Sequence, residues 1–537
     1  MATETSCSLS LREWAGVRGP VRKYSLILAA LLLPACTVGP NYAAPSLFAP
    51  YSWFATRLPS PQSLEASMPT AEPVDPEWWR SFNDPVLTGL VRRAADGNLD
   101  VQAATARLAQ SRAQRGITAA DQYPMVNGNA SYTREKPSSR GAFSAIGGAA
   151  GGGAAGGGAG GASASGATSS NGLGGRQGGI QTSSAIPAFD LFQGGFDATW
   201  ELDLWGRVRR AVESADASLQ ASREARRASL LSTIAEVARD YMQLRGAQET
   251  LRITRSNLAS AQESARLTGE RARGGLATDL DVSNARAQVE ATAAAIPQLE
   301  QQEAQTINAI SLLLGQPPAT LQAELSPPAG VPGVPPRVPA GLPSELARRR
   351  PDIRQAEAQL HAATASIGVA QADFYPRVTL SGSFALQATQ LKDLGLPART
   401  FGFGPSVTVP IFEGRRIQRT VDLRTAQQQE AVLNYQKAVL QAFTDVDNAL
   451  IAYAAEQRRR ARLAEQVAQS RRALGLAQSR YRQGVSDFLE VLTAQRTVLQ
   501  AEQQLADSTA TISSNLVALY KALGGGWEGA YPDQPTE

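Results

Sequence analysis

The chain has 537 residues, with 52 Lys and Arg against 48 Asp and Glu for a net charge of +4. Part of that excess lies before residue 36, so the body is close to neutral and offers no concentrated basic footprint for nucleic acid. One histidine and two cysteines, Cys7 and Cys36, argue against His-dependent triads, haem ligation, a disulfide framework or a thiolate metal cage.

The segment Tyr24–Cys36 follows Arg22-Lys23, has a short apolar core and ends in a small residue before cysteine. It reads as a cleavable export signal over residues 1–35, too short to remain as a spanning helix. Leu33-Pro34-Ala35-Cys36 resembles a bacterial lipobox, in which Cys36 is lipidated and becomes the first mature residue. The alternative is cleavage elsewhere, with Cys36 a plain thiol. Thr37, where an aspartate would favour inner-membrane retention, points to the outer membrane. Beyond Cys36 no run of 18 apolar residues occurs, so any span must be a closed β-barrel.

The rest of the chain is two copies of one unit. Residues 100–131 align without gaps to 352–383, including Gly116/Gly368, Asp121/Asp373, Tyr123/Tyr375, Pro124/Pro376 and Val126/Val378. Further along, Arg271/Arg480, Arg273/Arg482, Gly275/Gly484, Leu280/Leu489, Val282/Val491 and Ala285/Ala494 coincide. The offset drops from 252 to 209, so the first copy carries 43 extra residues between its matched parts. A Gly/Ala/Ser tract fills that interval and cannot bury a core, so it is expected to be a flexible, dispensable loop.

Each copy reads in the same order. A helix over 99–122 or 352–374 ends at Tyr-Pro, because proline disfavours a helical residue before it. Alternating strands follow at 125–134 and 377–388, then second strands at 196–202 and 401–411, with the Gly-rich loop 135–195 in the first copy. Long helical stretches over 207–272 and 414–482 would each span about 100 Å at ~1.5 Å per residue. In the second, Val432, Tyr435, Val439, Ala442, Val446, Ala449 and Tyr453 form one seam; Leu440, Phe443 and Leu450 form an adjacent one, as in a coiled-coil wall packed on both sides. Glycine-containing tips at 273–279 and 482–487 return the chain as helices over 280–315 and 488–523, the first expected to kink at Pro297. The units therefore span 99–315 and 344–525, joined by an irregular Pro-rich connector at 316–343 and followed by a tail at 526–537.

Four amphipathic strands cannot close a barrel, yet a sheet within a membrane tolerates no open edge. Other copies must close it. Three copies give twelve strands, continued by the long helices as a tube. The expected class is an α+β membrane protein: a trimeric twelve-stranded antiparallel β-barrel, four strands per chain, continued by an α-helical coiled-coil barrel with an internal two-fold repeat. The alternative is a non-conducting coiled-coil lipoprotein with a structural or adhesive role, which leaves the duplicated strand pairs unexplained. No nucleophile elbow, metal cluster or phosphate loop occurs, so no enzyme activity, cofactor, metal or nucleic-acid partner is expected.

The stretches Cys36-Thr-Val-Gly-Pro-Asn-Tyr42, Asp203-Leu-Trp-Gly-Arg-Val-Arg209, Arg350-Pro-Asp-Ile-Arg354, Phe374-Tyr-Pro-Arg-Val-Thr-Leu380 and Leu519-Tyr-Lys-Ala-Leu-Gly-Gly-Gly-Trp527 occur in that order. Together they resemble the TolC-like outer-membrane efflux factors, in particular the NodT-type lipoprotein branch. The resemblance implies a homotrimer lipid-anchored in the outer membrane. It also implies a periplasmic tip that constricts in the closed state, an equatorial girdle that includes 36–98, a periplasmic adaptor (membrane fusion) protein and an inner-membrane pump.

By position in that family, Tyr481 matches a gate tyrosine and Asp281 the aspartate it hydrogen-bonds on a neighbouring helix. A gate arginine falls on Ser486, and a pore-facing acidic ring maps to Glu490 and Thr493, of which only Glu490 keeps the charge. Three such carboxylates around a threefold axis would attract cations. Asp279 and Asp487 are further candidate tip acids; helix N-terminal capping is the alternative at all four positions, of equal weight at Asp279 and Asp487, while the gate reading is favoured at Asp281 and Glu490. Gly275 with Leu276, and Gly484 with Val485, are the expected adaptor-docking tips, the glycines permitting the tight turn. His361 aligns with Ala109 and reads as an ordinary helix-face residue. Trp78 and Trp79 either pack the girdle or lie near a membrane surface, and Trp200 and Trp205 suit an interfacial aromatic belt.

Overall fold

The computed structural model describes residues 37–45, 53, 67–70, 72–136 and 188–532. The expected export signal, the expected lipidation site Cys36 and the Gly-rich run lie outside the described residues. The elements are β1 (Met68–Thr70), α1 (Pro85–Gly97), α2 (Leu99–Ala120), β2 (Met125–Glu135), β3 (Phe189–Leu202), α3 (Arg207–Arg273), α4 (Asp279–Leu313), β4 (Arg337–Pro339), α5 (Pro351–Ala372), β5 (Arg377–Ala388), β6 (Arg399–Thr408), α6 (Arg416–Arg482) and α7 (Phe488–Leu523). They form two compact units, one of strands (Ala120–Leu204 with Tyr375–Ile411) and one of helices built from the remainder.

The strand unit is a four-stranded antiparallel sheet of order β2-β3-β5-β6. Its second strand starts seven residues before the expected 196, because pairing with β2 continues back to Phe189 opposite Glu135. Its fourth strand is shifted to 399–408, ending ahead of Val409-Pro410. Register places Phe196 opposite Phe384 and Phe384 opposite Phe401. Residues two apart share a face, so Val126, Tyr132, Phe192, Trp200, Leu380, Phe403 and Val407 join that row. The other face carries Asn127, Asn129, Asp197, Thr199, Ser381, Ser383 and Ser406. There Asp197 accepts from Asn127 Nδ2 at 3.3 Å and Asn129 Nδ2 at 3.0 Å. One face is therefore apolar over most of the sheet, with Arg134, Asp190 and Arg399 at one end of it, and the other is mainly polar. Within the chain, β2 and β6 are each paired on one side only.

In the helical unit, α3 and α6 are 67 residues each. Helix α3 runs through Gly246, where a Cβ would lie 2.6 Å from the Ala510 Cβ, so glycine allows α3 and α7 to approach closely. Helix α4 runs on through Pro297. Of the predicted α6 seam, Tyr435, Val439, Ala442, Val446 and Tyr453 are buried. The adjacent stripe divides: Leu450 is buried, whereas Leu440 is 66% exposed.

The connector is more regular than expected, because its 337–339 segment pairs in parallel with β1. The 36–98 region likewise gains α1, capped by Asp84, whose carboxylate accepts from Val86 N at 2.8 Å and Leu87 N at 3.1 Å. The second Asp84 oxygen accepts from the Tyr241 hydroxyl at 2.7 Å. Burial pushes that hydroxyl up to about 12, and donation to Asp84 adds to the shift, so Tyr241 remains a neutral donor.

Trp78 and Trp79 belong to the core. Trp78 is fully buried, stacks on Tyr520 with ring centres 5.1 Å apart, and donates Nε1 to Gly525 O at 3.0 Å. Trp200 donates Nε1 to Gln122 O at 3.0 Å. His361 is not a plain helix-face residue, because its ring stacks on Tyr42 at 4.3 Å and its Nε2 lies 3.1 Å from Glu213 Oε1. Arg210, buried on α3, binds the segment that follows Cys36 through Gly39 O at 3.3 Å and Asn41 Oδ1 at 2.6 Å.

Candidate functional site

The two tips are built alike. At the first, Leu276 N donates to Arg271 O at 2.8 Å and Gly275 N to Ala272 O at 2.9 Å. At the second, Val485 N donates to Arg480 O and Gly484 N to Tyr481 O, both at 3.0 Å. This is a Schellman ending, and it needs a left-handed residue: Gly275 has φ +72 and Gly484 φ +76. A side chain at Gly275 would meet nothing within 4 Å, so the conformation and not crowding requires glycine. Leu276 and Val485 follow at 71% and 65% exposure, two apolar side chains carried outward on fixed turns.

The return helices start differently. Thr278 and Asp281 form a capping box at α4: Thr278 N donates to Asp281 Oδ2 at 3.0 Å and Asp281 N to Thr278 Oγ1 at 3.2 Å. Their repeat counterparts are Asp487 and Glu490, and there the side-chain cap is not made. Glu490 instead lies 3.7 Å from Arg480 Nη1, with both side chains about half exposed. Asp279 is exposed in the first turn of α4.

Tyr481 and Asp281 do not meet within the chain, since the Asp281 carboxylate is engaged by Thr278. Tyr481 is held by its ring, against Phe488 at 5.5 Å and under the Arg271 guanidinium at 4.4 Å. Its hydroxyl is 3.5 Å from Thr268 Oγ1, long for an O–H donor. Arg271 also donates Nη1 to Tyr481 O at 2.6 Å and to Arg482 O at 3.4 Å. Those carbonyls close the last turn of α6, where partners are short and the helix dipole favours a cation. Ala285, Val491 and Leu492 complete a small dry cluster below.

Arg271 is thus the organiser of the tip, and it was absent from the expected site residues. Its only sequence signal was its identity with Arg480 in the repeat. Arg271→Ala is expected to strip the charged donor from the Tyr481 and Arg482 carbonyls, of which Tyr481 keeps its bond from Gly484 N, and to uncover the Tyr481 ring, at a cost of about 1–3 kcal/mol, opening the turn to trypsin at Arg482. Proteolysis at an unchanged rate would refute that role. Tyr481→Phe should behave as wild type and Tyr481→Ala should be cleaved faster, since the ring and not the hydroxyl does the holding.

A family model described as outer membrane efflux protein matches residues 90–316 and 342–525. The chain belongs to that family. It is 33% identical over 508 residues to the pyoverdine export outer membrane protein OpmQ of Pseudomonas aeruginosa, covering 95% of this chain and 98% of that protein. It is 31% identical over 518 residues to nodulation protein T of Rhizobium leguminosarum bv. viciae, covering 96% of each. Among solved structures, the outer-membrane channel OprN superposes with a TM-score of 0.79 at 35% identity, covering 92% of this chain and all of that one. The chain is an outer-membrane efflux channel component that extends into the periplasm, and its fold is that of the TolC-like channels, mainly helical with some sheet.

Proposed function

We propose that three copies close the β2-β3-β5-β6 sheet into a twelve-stranded barrel and that the long helices continue it as a conduit exporting small molecules. The observation that carries this is the two-faced sheet whose outer strands, β2 and β6, each have one edge unpaired in the chain. Apolar residues outward and polar residues inward is the pattern of a water-filled membrane barrel, and unpaired backbone at β2 and β6 is costly in lipid unless another copy pairs with it. Acylation of Cys36 would add a tether.

The exposed Leu276 and Val485, beside Gly275 and Gly484, suit docking by a periplasmic adaptor that links the conduit to an inner-membrane pump. Tyr481, Asp281 and Glu490 act as gate residues around the closed tip, with Asp279 and Asp487 as further acids there. A relative named for pyoverdine export supports a small-molecule cargo. The chain itself performs no catalysis in this reading.

Purified protein in planar bilayers should show rare, small conductance steps, and the double variant Tyr481→Ala/Asp281→Ala larger and more frequent ones. Silent bilayers from both proteins would favour the non-conducting lipoprotein.

A further inference from the structure

On the apolar face of the sheet, charged side chains occur at one end only: Arg134 on β2, Asp190 on β3 and Arg399 on β6. Helices α2 and α5 lead into β2 and β5, and α3 and α6 follow β3 and β6, all at the opposite strand ends. In a chain that extends into the periplasm through those helices, the charged end lies at the outer leaflet.

The two arginines differ in their surroundings. Asp190 lies 3.6 Å from Arg134 Nη1 and accepts from the Tyr132 hydroxyl at 2.9 Å, while the Arg134 side chain stays 66% exposed. Arg399 is exposed at the first position of β6 and has no ion-pair partner among the described residues. Directly opposite it in the sheet is Leu386.

Closure of a barrel brings these two side chains together. Strands β2 and β6 are the two edges, so β6 of one copy meets β2 of the next about 4.8 Å away. Arg399 opens β6 and Arg134 is the last but one residue of β2, which puts both on the same face at the same end of that seam. Two guanidiniums on neighbouring strands repel each other unless an anion lies between them. Asp190 stands one strand further on, already engaged by Tyr132 and Arg134. Toward the middle of the sheet the same face continues as Phe401 and Phe403 from Arg399, and as Tyr132 from Arg134, with the Phe192 ring 4.9 Å from that of Tyr132. An anion that suits this seam therefore carries apolar chains behind it.

We propose that each seam between copies binds the phosphate of an outer-leaflet lipid between Arg399 of one copy and Arg134 of the next, with the acyl chains along Phe401, Phe403 and Tyr132. This rests on the trimer reading above, because the two arginines stand on opposite edges of one chain's sheet. A guanidinium presents paired N–H donors that match phosphate oxygens, and two of them can clasp one headgroup. Lys136, just past β2, adds a third cation at the rim. The seam selects an anionic phosphate headgroup over a zwitterionic one, whose own ammonium would face the arginines.

Full-length protein is placed in phosphatidylcholine nanodiscs doped with fluorescent bisphosphorylated lipid A, then re-extracted in detergent and washed. Wild type should retain the labelled lipid. Arg399→Ala and Arg134→Ala should each retain several-fold less, Arg399→Lys an intermediate amount, and Lys392→Ala, on the neighbouring loop, as much as wild type. Wild type should hold dephosphorylated lipid A no better than Arg399→Ala holds the phosphorylated form, a comparison that does not depend on how the variants fold. Equal retention of the two lipids by wild type, or of the phosphorylated one by wild type and Arg399→Ala, at trimer mass in light scattering, overturns the phosphate site alone. A loss at Lys392→Ala as large as at Arg399→Ala overturns the assignment to the seam. Release by inorganic phosphate in the wash overturns the lipid as the source of the phosphate, and monomer mass for wild type overturns the site together with the trimer.

Discussion

Trp78→Ala should destabilise the helical unit by about 3–5 kcal/mol, the range for truncating a large buried aromatic. The indole is fully buried against Tyr520 and Trp79 and ties the start of the helical unit to the chain's end through Gly525. Trp78→Phe keeps part of the stack but leaves the Gly525 carbonyl without its donor, so a smaller loss of about 1–3 kcal/mol is expected. Thermal unfolding of both variants in detergent checks the order. A Trp78→Ala protein as stable as wild type would mean that the Trp78–Tyr520–Gly525 contact carries little of the fold.

Phe384→Arg should abolish recovery of membrane-inserted protein, while Ser383→Arg, one residue away, should insert normally. Phe384 sits mid-strand in the row Phe196–Phe384–Phe401 on the apolar face, and Ser383 points to the face of Asn127, Asn129 and Asp197. If the apolar face meets lipid, a guanidinium there costs about 2–4 kcal/mol near the bilayer midplane, and one facing a water-filled lumen costs little. Ser383→Arg should also shift the conduit's preference toward anions in planar bilayers. Equal loss for both variants would argue against a two-faced barrel wall.

Much of this architecture could be read from the chain. The strand at 377–388 and the helix at 488–523 fall where alternation and periodicity put them, because both patterns are local consequences of which face is buried. Boundaries slipped where the pattern is weak, as in the Gly-containing run of β3 before Phe196. The connector strand at 337–339 was missed because three residues carry no period, and their pairing with Met68–Thr70 depends on a distant segment.

At the tip, sequence located the turn and its glycines, since the left-handed residue that ends a helix is a local requirement. It also named Tyr481 and Asp281, and spacing alone offered capping as an explanation for the acid. Thr278 and Asp281 now show such a cap as a complete box, whereas the matching Asp487 and Glu490 leave it unmade. The same spacing thus permits either outcome.

Sequence by itself determined the repeat, the order of elements, the two-faced strands and the family. Tertiary structure alone decided which side chains meet across hairpins: Arg271 caps a carbonyl 210 residues away, and Tyr481 is clamped by its ring. The physical reason is that a helix's own periodicity fixes which residues share a face, while its rotation and axial shift against a neighbour are set by packing along the whole length of both.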